Sequence, residues 1–370
     1  MSITFNSLVQ TFTIAMEKRV IFFVVRLVFL SGVLSGQSNY IKDDNCAVGN
    51  YFEQIYAAEN HLMDGEHEKS LKLYNAAFTS DREENIIFFK DIHNALMLAY
   101  QNDDTHYFKR FILHLHDYDV DSSLFQTVGY ENLKASKFHP IVKEFFDQKR
   151  ELDHNAPVCS FFERLHMLDQ SIRKACREKY GNGFYHFCGD EIALLDSLIL
   201  EQLIDYFNEN GVPREYEFCN IRRHYFPPYE LIITHNQQWC RPEVIDILKD
   251  QIGRVHPQVL AFILDYVYNN PCDGSESDDP LGLSYQLRLG DQLYLLEIPV
   301  ERIEMVNENR KAIHLDQVED FHRKIIFQEF NPEYVLVNGR FMFHLDADES
   351  FINTLKDRFK SGKVTEERLR

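Results

Sequence analysis

The sequence lacks the short motifs that identify the common classes of enzyme. It contains no G-x-x-x-x-G-K-[ST] loop, no H-E-x-x-H helix, no G-x-S-x-G elbow and no G-x-G-x-x-G turn after a strand. The stretch "GNGFYHFCG" at 181–189 contains three glycines, but it connects two predicted helices and is interpreted as a linker. The motifs therefore assign no reaction to the chain.

Basic residues are scarce. The chain has 39 Lys and Arg residues against 58 Asp and Glu residues, which gives a formal net charge of −19 at pH 7. No basic stripe with interleaved aromatic residues offsets this charge, and an acidic surface repels phosphate groups. We therefore expect no binding to nucleic acids. Hydrophobic residues make up 45% of the chain, which is enough for a sizeable core.

The seven cysteines include no C-x-x-C pair, so the sequence predicts neither a zinc knuckle nor a thioredoxin-type motif. We expect buried free thiols for most of them, although an oxidising compartment could pair some. Asp117, Asp119 and Asp121 alternate like the start of a calcium loop. However, Ser122 and Val128 replace the Gly and Glu that such a loop requires. We expect no metal and no cofactor.

The first 36 residues have the layout of a secretory signal peptide. A basic pair, Lys18 and Arg19, precedes an apolar run at 20–34, and small residues lead to a cleavage position after Gly36. The alternative is an uncleaved membrane anchor, but the run is short for a span and contains Arg26. We expect an exported protein, periplasmic or extracellular, with membrane contact only through this segment.

The hydrophobic pattern predicts a mainly α fold. Residues 40–155 resemble tetratricopeptide repeats, with small residues such as Ala58 in a first helix, a turn at Asp64-Gly65 and aromatic residues in a second helix. A second copy follows at a spacing of 37 residues, from Ala58 to Ala95. This region is predicted either to bind a protein or peptide in a groove, or to act as a helical platform for the rest of the chain.

Residues 159–330 are predicted to form a second helical domain that includes a β-hairpin. Its helices are expected at 160–180, 189–210, 227–238, 242–250, 256–269 and 315–328. Gly290-Asp291 suits the turn of the hairpin. Residues 331–370 are predicted to form a second hairpin at 334–345, with its turn at Asn338-Gly339, and a terminal helix at about 349–360.

Residues 160–325 resemble an uncharacterised bacterial family of helical domains built around an Asp-Gln-x-x-Arg helix. The resemblance rests on the order of "DQSIR", "NGVP", "ELIITHN", "VHPQVLAFILDYVY", a hairpin and "NENRKAIHL". The loop after Asn270 and the "NQQW" after His235 depart from that family's pattern. The resemblance implies a shared polar pocket and no known activity. The positions that match are Asp169, Gln170, Arg173, His235, Asp265, Gln286 and Arg310.

The helix at 164–180 supports this pocket on its own pattern. Leu165, Leu168 and Ile172 share one face, and Asp169 and Arg173 lie on its flank as an i, i+4 pair. Partly buried, such a pair needs further partners, and His235 and Arg310 are candidates. The pair is either part of a structural network that fixes the helix or part of a ligand site.

Two functions are compatible with the sequence. The first is a non-enzymatic envelope protein that binds a protein, peptide or ligand. The alternative is a hydrolase of an anionic or polar small molecule, in which Arg173 and Arg310 hold the anion and His235, beside Asp169, acts as base.

Overall fold

A computed structural model describes 41–80, 86–149, 156–219, 227–236, 242–268, 281–282, 286–289, 292–295, 298–337 and 342–344. The predicted signal peptide and the predicted terminal helix lie outside these residues. The chain divides into two compact units, Met1–Cys46 and Ala47–Arg370, and every side-chain contact described below lies within the second. None of the described helices is long and apolar enough to cross a membrane.

The prediction of a mainly helical protein is confirmed. Twelve α-helices are present among the described residues: α1 Ile41–Met63, α2 His67–Ser80, α3 Phe89–Gln101, α4 Thr105–Ile112, α5 His139–Gln148, α6 Ala156–Tyr180, α7 Tyr185–Asn210, α8 Pro228–His235, α9 Pro242–Lys249, α10 Pro257–Tyr268, α11 Ile303–Ala312 and α12 Val318–Phe330.

The first four helices form two pairs with similar turns. Gly65 in the first turn and Asp103 in the second both adopt positive φ, at 74° and 55°. The helix ends repeat at a spacing of 38 residues (Met63 to Gln101) rather than the predicted 37. Ser70 is buried and its hydroxyl donates a hydrogen bond to the carbonyl of Ala58 at 2.7 Å, so a polar residue fits the packed interface of the first pair.

The two longest helices, α6 and α7, form an antiparallel arm. The helix predicted at 189–210 begins four residues earlier, at Tyr185, because Phe184 and Cys188 pack with Cys176 and Ile192 in a small second core. It ends at Asn210 as predicted, where Gly211 adopts a φ of 75°. The 181–189 stretch is therefore a linker only in its first part, a 3₁₀ turn at Gly181–Gly183.

A small sheet follows, in the order β2-β1-β3. Strands β1, Gln286–Leu289, and β2, Gln292–Leu295, pair antiparallel, while β3, Met342–His344, pairs parallel with β1. The predicted second hairpin at 334–345 is wrong, because 334–337 form no strand and β3 pairs elsewhere. The backbone of 335–337 forms hydrogen bonds with side chains and not with a partner strand. The Asn94 amide bonds both the N–H and the C=O of Val335, and Gln328 accepts from Leu336 and Val337.

The larger hydrophobic core draws on residues from Val48 to Val337, so both predicted helical regions contribute to it. Two disulfides join Cys159 to Cys219 and Cys176 to Cys188. The expectation of mostly free thiols is therefore wrong for four of the seven cysteines. The first disulfide ties α6 to the segment that follows the arm, and the second joins the two helices of the arm near its tip.

Candidate functional site

The Asp-Gln-x-x-Arg helix places an ion network about midway along the arm. Arg173 donates from Nη1 to Asp169 Oδ1 at 2.7 Å and from Nη2 to Asp196 Oδ2 on α7 at 2.6 Å. All three residues are buried, with exposures of 6%, 1% and 2%. The i, i+4 spacing therefore produces an ion pair within α6, and the guanidinium links that pair to α7.

His235 joins the same network from the end of α8. Its Nδ1 lies 2.8 Å from Asp169 Oδ1, and its side chain is 23% exposed. Gln170 donates from its amide to Asp169 Oδ2. The predicted grouping of Asp169, Gln170, Arg173 and His235 is therefore present in the structure, and Asp196 is a member that the sequence analysis missed.

The electrostatics of this network favour a structural role. Burial raises the pKa of the Asp196 carboxyl, against the lowering effect of Arg173. Burial also opposes the charged form of Arg173, but its two carboxylate partners more than compensate and raise the pKa of the guanidinium. Both ends of the guanidinium fork are occupied by carboxylates of the chain itself, so Arg173 has little capacity for an external anion.

Arg310 and Asp265 belong to a different place. Arg310 is fully buried and donates to the carbonyl of Leu281 at 2.7 Å, to the carbonyl of Asp316 at 2.6 Å and to Asp316 Oδ1 at 3.0 Å. Asp265 accepts from the N–H of Leu281 at 3.1 Å. Leu281 thus connects these two residues to each other, and Arg310 bonds neither Asp169 nor His235. The side chain of Gln286 lies outside the described residues.

Arg310 is one end of a chain of buried charges. Asp316 also pairs with Lys324 at 2.6 Å, and Lys324 pairs with Glu59 on α1. Glu59 then pairs with Lys90 on α3 at 2.7 Å, and Lys90 lies 3.3 Å from Asp91. The resulting network, with three cations and three carboxylates, is named here the core charge network; its members are Arg310, Asp316, Lys324, Glu59, Lys90 and Asp91.

A small open pocket lies where the start of α3 meets the start of α8 and the start of α10. None of the residues predicted as site residues lines it. Its walls are largely apolar but include four ionisable side chains, Glu215, Tyr229, Arg254 and His256. The other lining residues are Phe88, Phe218, Pro227 and Val259.

Glu215 is the carboxyl of this pocket. Its Oε2 accepts from the backbone N–H of Phe89 at 2.7 Å and from the hydroxyl of Tyr118 at 3.2 Å. Burial raises the pKa of Glu215 to about 7, although the Phe89 hydrogen bond acts in the opposite direction. A carboxyl that titrates near neutrality in a cleft is a common feature of functional sites.

His256 is the second polar group of the pocket. It is 4% exposed, and its ring lies edge-on to Phe88 at 4.8 Å and to Phe52 at 5.4 Å. Its Nδ1 accepts from the N–H of Gln258 at 3.1 Å, while Nε2 has no hydrogen-bond partner among the described residues. Burial, helped by Lys90 and Lys324, lowers the pKa of His256 well below its usual value.

The sequence carried one signal for this pocket. His256 precedes Pro257 at the start of α10, the position where a side chain accepts from a helix N–H. Glu215 lies in a short 3₁₀ turn with no periodic pattern, so only the fold brings it beside Phe89.

Within the described part of the chain, no group of three or more His, Cys, Asp or Glu side chains could hold a metal ion. No known protein family, curated protein or solved structure matches the chain.

The raised pKa of Glu215 predicts a pH-dependent stability. The folded pKa of about 7 exceeds the unfolded value, so this contribution is fully present below about pH 4.5 and is lost as the pH rises through 7. We therefore expect Glu215→Gln to stabilise the protein at pH 8 by about 2 kcal/mol and to have a much smaller effect at pH 5. Urea denaturation at both pH values measures this, with the exposed Glu209→Gln as control. An equal effect of Glu215→Gln at both pH values would contradict the assignment.

Proposed function

We propose that the protein is an exported, non-enzymatic binding protein. Its partner in this proposal is a protein that presents a basic amphipathic helix, and the binding surface is the exposed face of α7. The observation that carries the proposal is the combination, on that one face, of exposed apolar side chains with acidic side chains and without any Lys or Arg.

The binding face follows from the helical repeat of α7. Phe187 and Leu194 are each 63% exposed and are seven residues apart, so they point in nearly the same direction. Exposed acidic residues lie on the same side of the helix at positions 190, 191, 201 and 205: Asp190, Glu191, Glu201 and Asp205. Apolar anchors surrounded by charges of one sign are typical of a groove or face that receives an amphipathic helix.

The sequence also predicted a partner groove in the N-terminal helical region, and one face of that region is occupied. His93 bonds the carbonyl of Glu333 at 2.8 Å, and the Asn94 amide bonds the backbone of Val335. Gln101 accepts from the hydroxyl of Tyr334 at 2.6 Å. This face of α3 holds an extended segment of the chain itself, which supports the platform interpretation and moves the proposed binding surface to the arm.

The alternative of a hydrolase receives little support. It required Arg173 and Arg310 to hold an anion beside His235, but Arg173 is held by two carboxylates and Arg310 by Asp316 and the carbonyl of Leu281. Two cations that are already neutralised attract an external anion weakly. The two disulfides favour an exported protein, since such bonds persist in oxidising compartments.

The proposal predicts which substitutions abolish partner binding. The mature protein, immobilised and exposed to envelope extract, should retain a partner that is released as the salt concentration rises. The double variant Phe187→Ser with Leu194→Ser should retain at least about tenfold less, since each buried side chain contributes about 1.5–3 kcal/mol.

The matched control removes two apolar side chains that are exposed elsewhere. Val128 and Val300 are 57% and 83% exposed, and the double variant Val128→Ser with Val300→Ser should retain the partner as the wild type does. Equal retention by both double variants, or salt-independent retention, would show that the face of α7 is not the binding surface.

A further inference from the structure

The outer end of the arm has a hydrophobic core of its own, which is named here the tip core. Its members are four buried side chains and two that pack against them: Cys176, Phe184, Cys188 and Ile192, with Ile172 and Tyr180. All six residues belong to α6, α7 and the turn between them, and none of them is part of the larger core. The tip of the arm is therefore a separate packing unit with few apolar side chains.

The ion network of Arg173 lies between the tip core and the larger core. Along α7, Ile192 belongs to the tip core and Ile199 to the larger core. Asp196 is the only buried residue of the stretch 193–198, and it accepts from Arg173 at 2.6 Å. Because a layer of charged groups separates the two apolar clusters, opening of the tip leaves the larger core packed.

The Cys176–Cys188 disulfide lies inside the tip core. The two residues are 12 apart in sequence, and they are 9% and 7% exposed. A bridge over a loop of this length lowers the population of the open state by about 100-fold, because it removes conformational entropy from that state. With so few apolar side chains beside it, this bridge is the main restraint that keeps the tip closed.

The Cys159–Cys219 disulfide has different surroundings. Phe162 follows Cys159 by one helical turn, and Phe218 directly precedes Cys219. Both phenylalanines belong to the larger core, and their rings lie 5.0 Å apart. A reductant therefore reaches this bridge when the body of the protein opens, whereas it reaches the bridge of the tip when the tip alone opens.

We propose that the Cys176–Cys188 disulfide is a thiol–disulfide exchange site whose substrate is a dithiol reductant. A thiolate of the dithiol attacks Sγ of Cys176, and the S–S bond breaks with Cys188 as the leaving thiolate. The second thiolate of the dithiol then attacks the mixed disulfide and releases Cys176. Two electrons pass to the chain, and the two protons of the dithiol end on the two released cysteines. The dithiol ends as a disulfide.

The position of Cys188 makes it the leaving group. It lies in the first turn of α7, which begins at Tyr185. The partial positive charge at a helix N-terminus stabilises a thiolate there, and a stabilised thiolate leaves faster. Cys176 lies near the opposite end of its own helix, four residues before Tyr180, and lacks this stabilisation. Attack at Cys176 is therefore favoured over attack at Cys188.

The bridge also controls one anchor of the binding face on α7, and this consequence rests on the proposed function. Phe187 directly precedes Cys188, and its ring is stacked on that of Tyr180 with centroids 4.7 Å apart. Opening of the tip separates α6 from the start of α7 and removes this stack. Phe187 then no longer has a fixed position relative to Leu194, so the oxidised protein is the form that binds the partner.

The first test compares the two bridges in the wild-type mature protein. Thiols that are already free are blocked with N-ethylmaleimide, dithiothreitol is added, and newly released thiols are trapped with iodoacetamide over time. Mass spectrometry of the peptides then identifies the labelled cysteines. Cys176 and Cys188 should be labelled at least about tenfold faster than Cys159 and Cys219, because opening of the tip requires less free energy than opening of the body.

The second test measures opening of the tip without any reductant. Trypsin is added to the double variant Cys176→Ser with Cys188→Ser, and cleavage after Arg177 or Lys179 is followed by mass spectrometry. Both sites are exposed but lie in the last turn of α6, so cleavage requires the tip to open. The variant should be cut about 100-fold faster than the oxidised wild type, since the rate follows the open population.

The matched control is the double variant Cys159→Ser with Cys219→Ser, whose tip should be cut as slowly as that of the wild type. In the tip variant, the Cys159–Cys219 bridge spans the cut. Its two fragments should therefore stay joined on a non-reducing gel and separate on a reducing gel. Circular dichroism checks that each variant is folded, and the comparison of labelling rates in the wild type does not depend on any variant.

Two results would overturn the exchange site. They are labelling of Cys159 and Cys219 as fast as that of Cys176 and Cys188, and equal cleavage of the tip in the wild type and in a folded tip variant. Partner retention is measured separately. An oxidised wild type that retains no partner contradicts the proposed function alone, because both tests of the tip are made without a partner. Equal retention by the tip variant and the wild type would contradict the control of binding by the bridge.

Discussion

Replacing Glu59 with Gln should lower the free energy of unfolding by about 3–5 kcal/mol. Glu59 is fully buried and is the only carboxylate that pairs with both Lys90 and Lys324 among the described residues. Glutamine has nearly the same shape but no charge, so the substitution leaves two buried cations with one less compensating charge. The effect is large because removing one partner of a buried ion pair costs the full desolvation of the other.

The central position of Glu59 in the core charge network explains why we expect Glu59→Gln to lower the stability so strongly. The network joins α1, α3, α11 and α12, and Glu59 connects its two halves. Burial opposes the charged form of Lys90, but Glu59 and Asp91 more than compensate and raise the pKa of the ammonium. Without Glu59, Lys90 keeps the longer contact to Asp91 and a hydrogen bond to the carbonyl of Leu336, both at 3.3 Å, and of these two partners only Asp91 carries a charge.

The measurement is urea denaturation of the wild type and of Glu59→Gln at pH 7. Glu53→Gln is the matched control, because Glu53 lies on the same helix and is exposed, and its replacement should change the stability by less than about 0.5 kcal/mol. A loss below about 1 kcal/mol for Glu59→Gln would mean that the network does not stabilise the core as described.

Replacing Arg173 with Met should be similarly severe, with a loss of about 3–5 kcal/mol at pH 7. Methionine keeps the apolar part of the side chain but leaves Asp169 and Asp196 buried without the guanidinium that joins them. The exposed neighbour Lys174→Met is the matched control and should have little effect, since Lys174 has only a distant surface contact with Glu178.

The pH dependence of the Arg173→Met effect distinguishes lost charge from lost packing. Burial already raises the pKa of Asp196, and removing Arg173 raises it further. The folded variant then binds a proton more readily than the unfolded chain, so its stability increases as the pH falls. We expect the loss to be smaller at pH 5 than at pH 8. An equal loss at both pH values would indicate a packing defect instead.

Much of the helical architecture could be predicted from the sequence, because the signals that define it are local. The end of α7 at "NGVP" follows from Gly211, and α10 ends at Tyr268, one residue before its predicted end. The second hairpin was predicted from Asn338-Gly339, which is also a local signal. It failed because 334–337 bond side chains and not a second strand, and one of those side chains, Asn94, is 241 residues from Val335 in sequence, where no local pattern reveals it.

The residues of the candidate site also differ in whether a local sequence pattern could reveal their role. Asp169 and Arg173 could be paired from their i, i+4 spacing, which is a property of one helix. Asp196 was missed because its role depends on how α6 and α7 align. Arg310 was assigned to the wrong group because its partners, Leu281 and Asp316, lie outside α11 and form no pattern with it in the sequence. The pocket of Glu215 and His256 draws on residues from four separate segments, so the sequence offered only the position of His256 before a helix.

The central claim is that the Asp169–Arg173–Asp196 network fixes the arm and that the binding function belongs to the exposed face of α7. The most direct test is partner retention by the triple variant Asp169→Val, Arg173→Met, Asp196→Val. Replacing a whole buried ion network with apolar residues of similar size is often neutral or stabilising. The claim predicts a folded variant that retains the partner from envelope extract as well as the wild type does. A folded triple variant that no longer retains the partner would contradict it and would make the network itself the functional site.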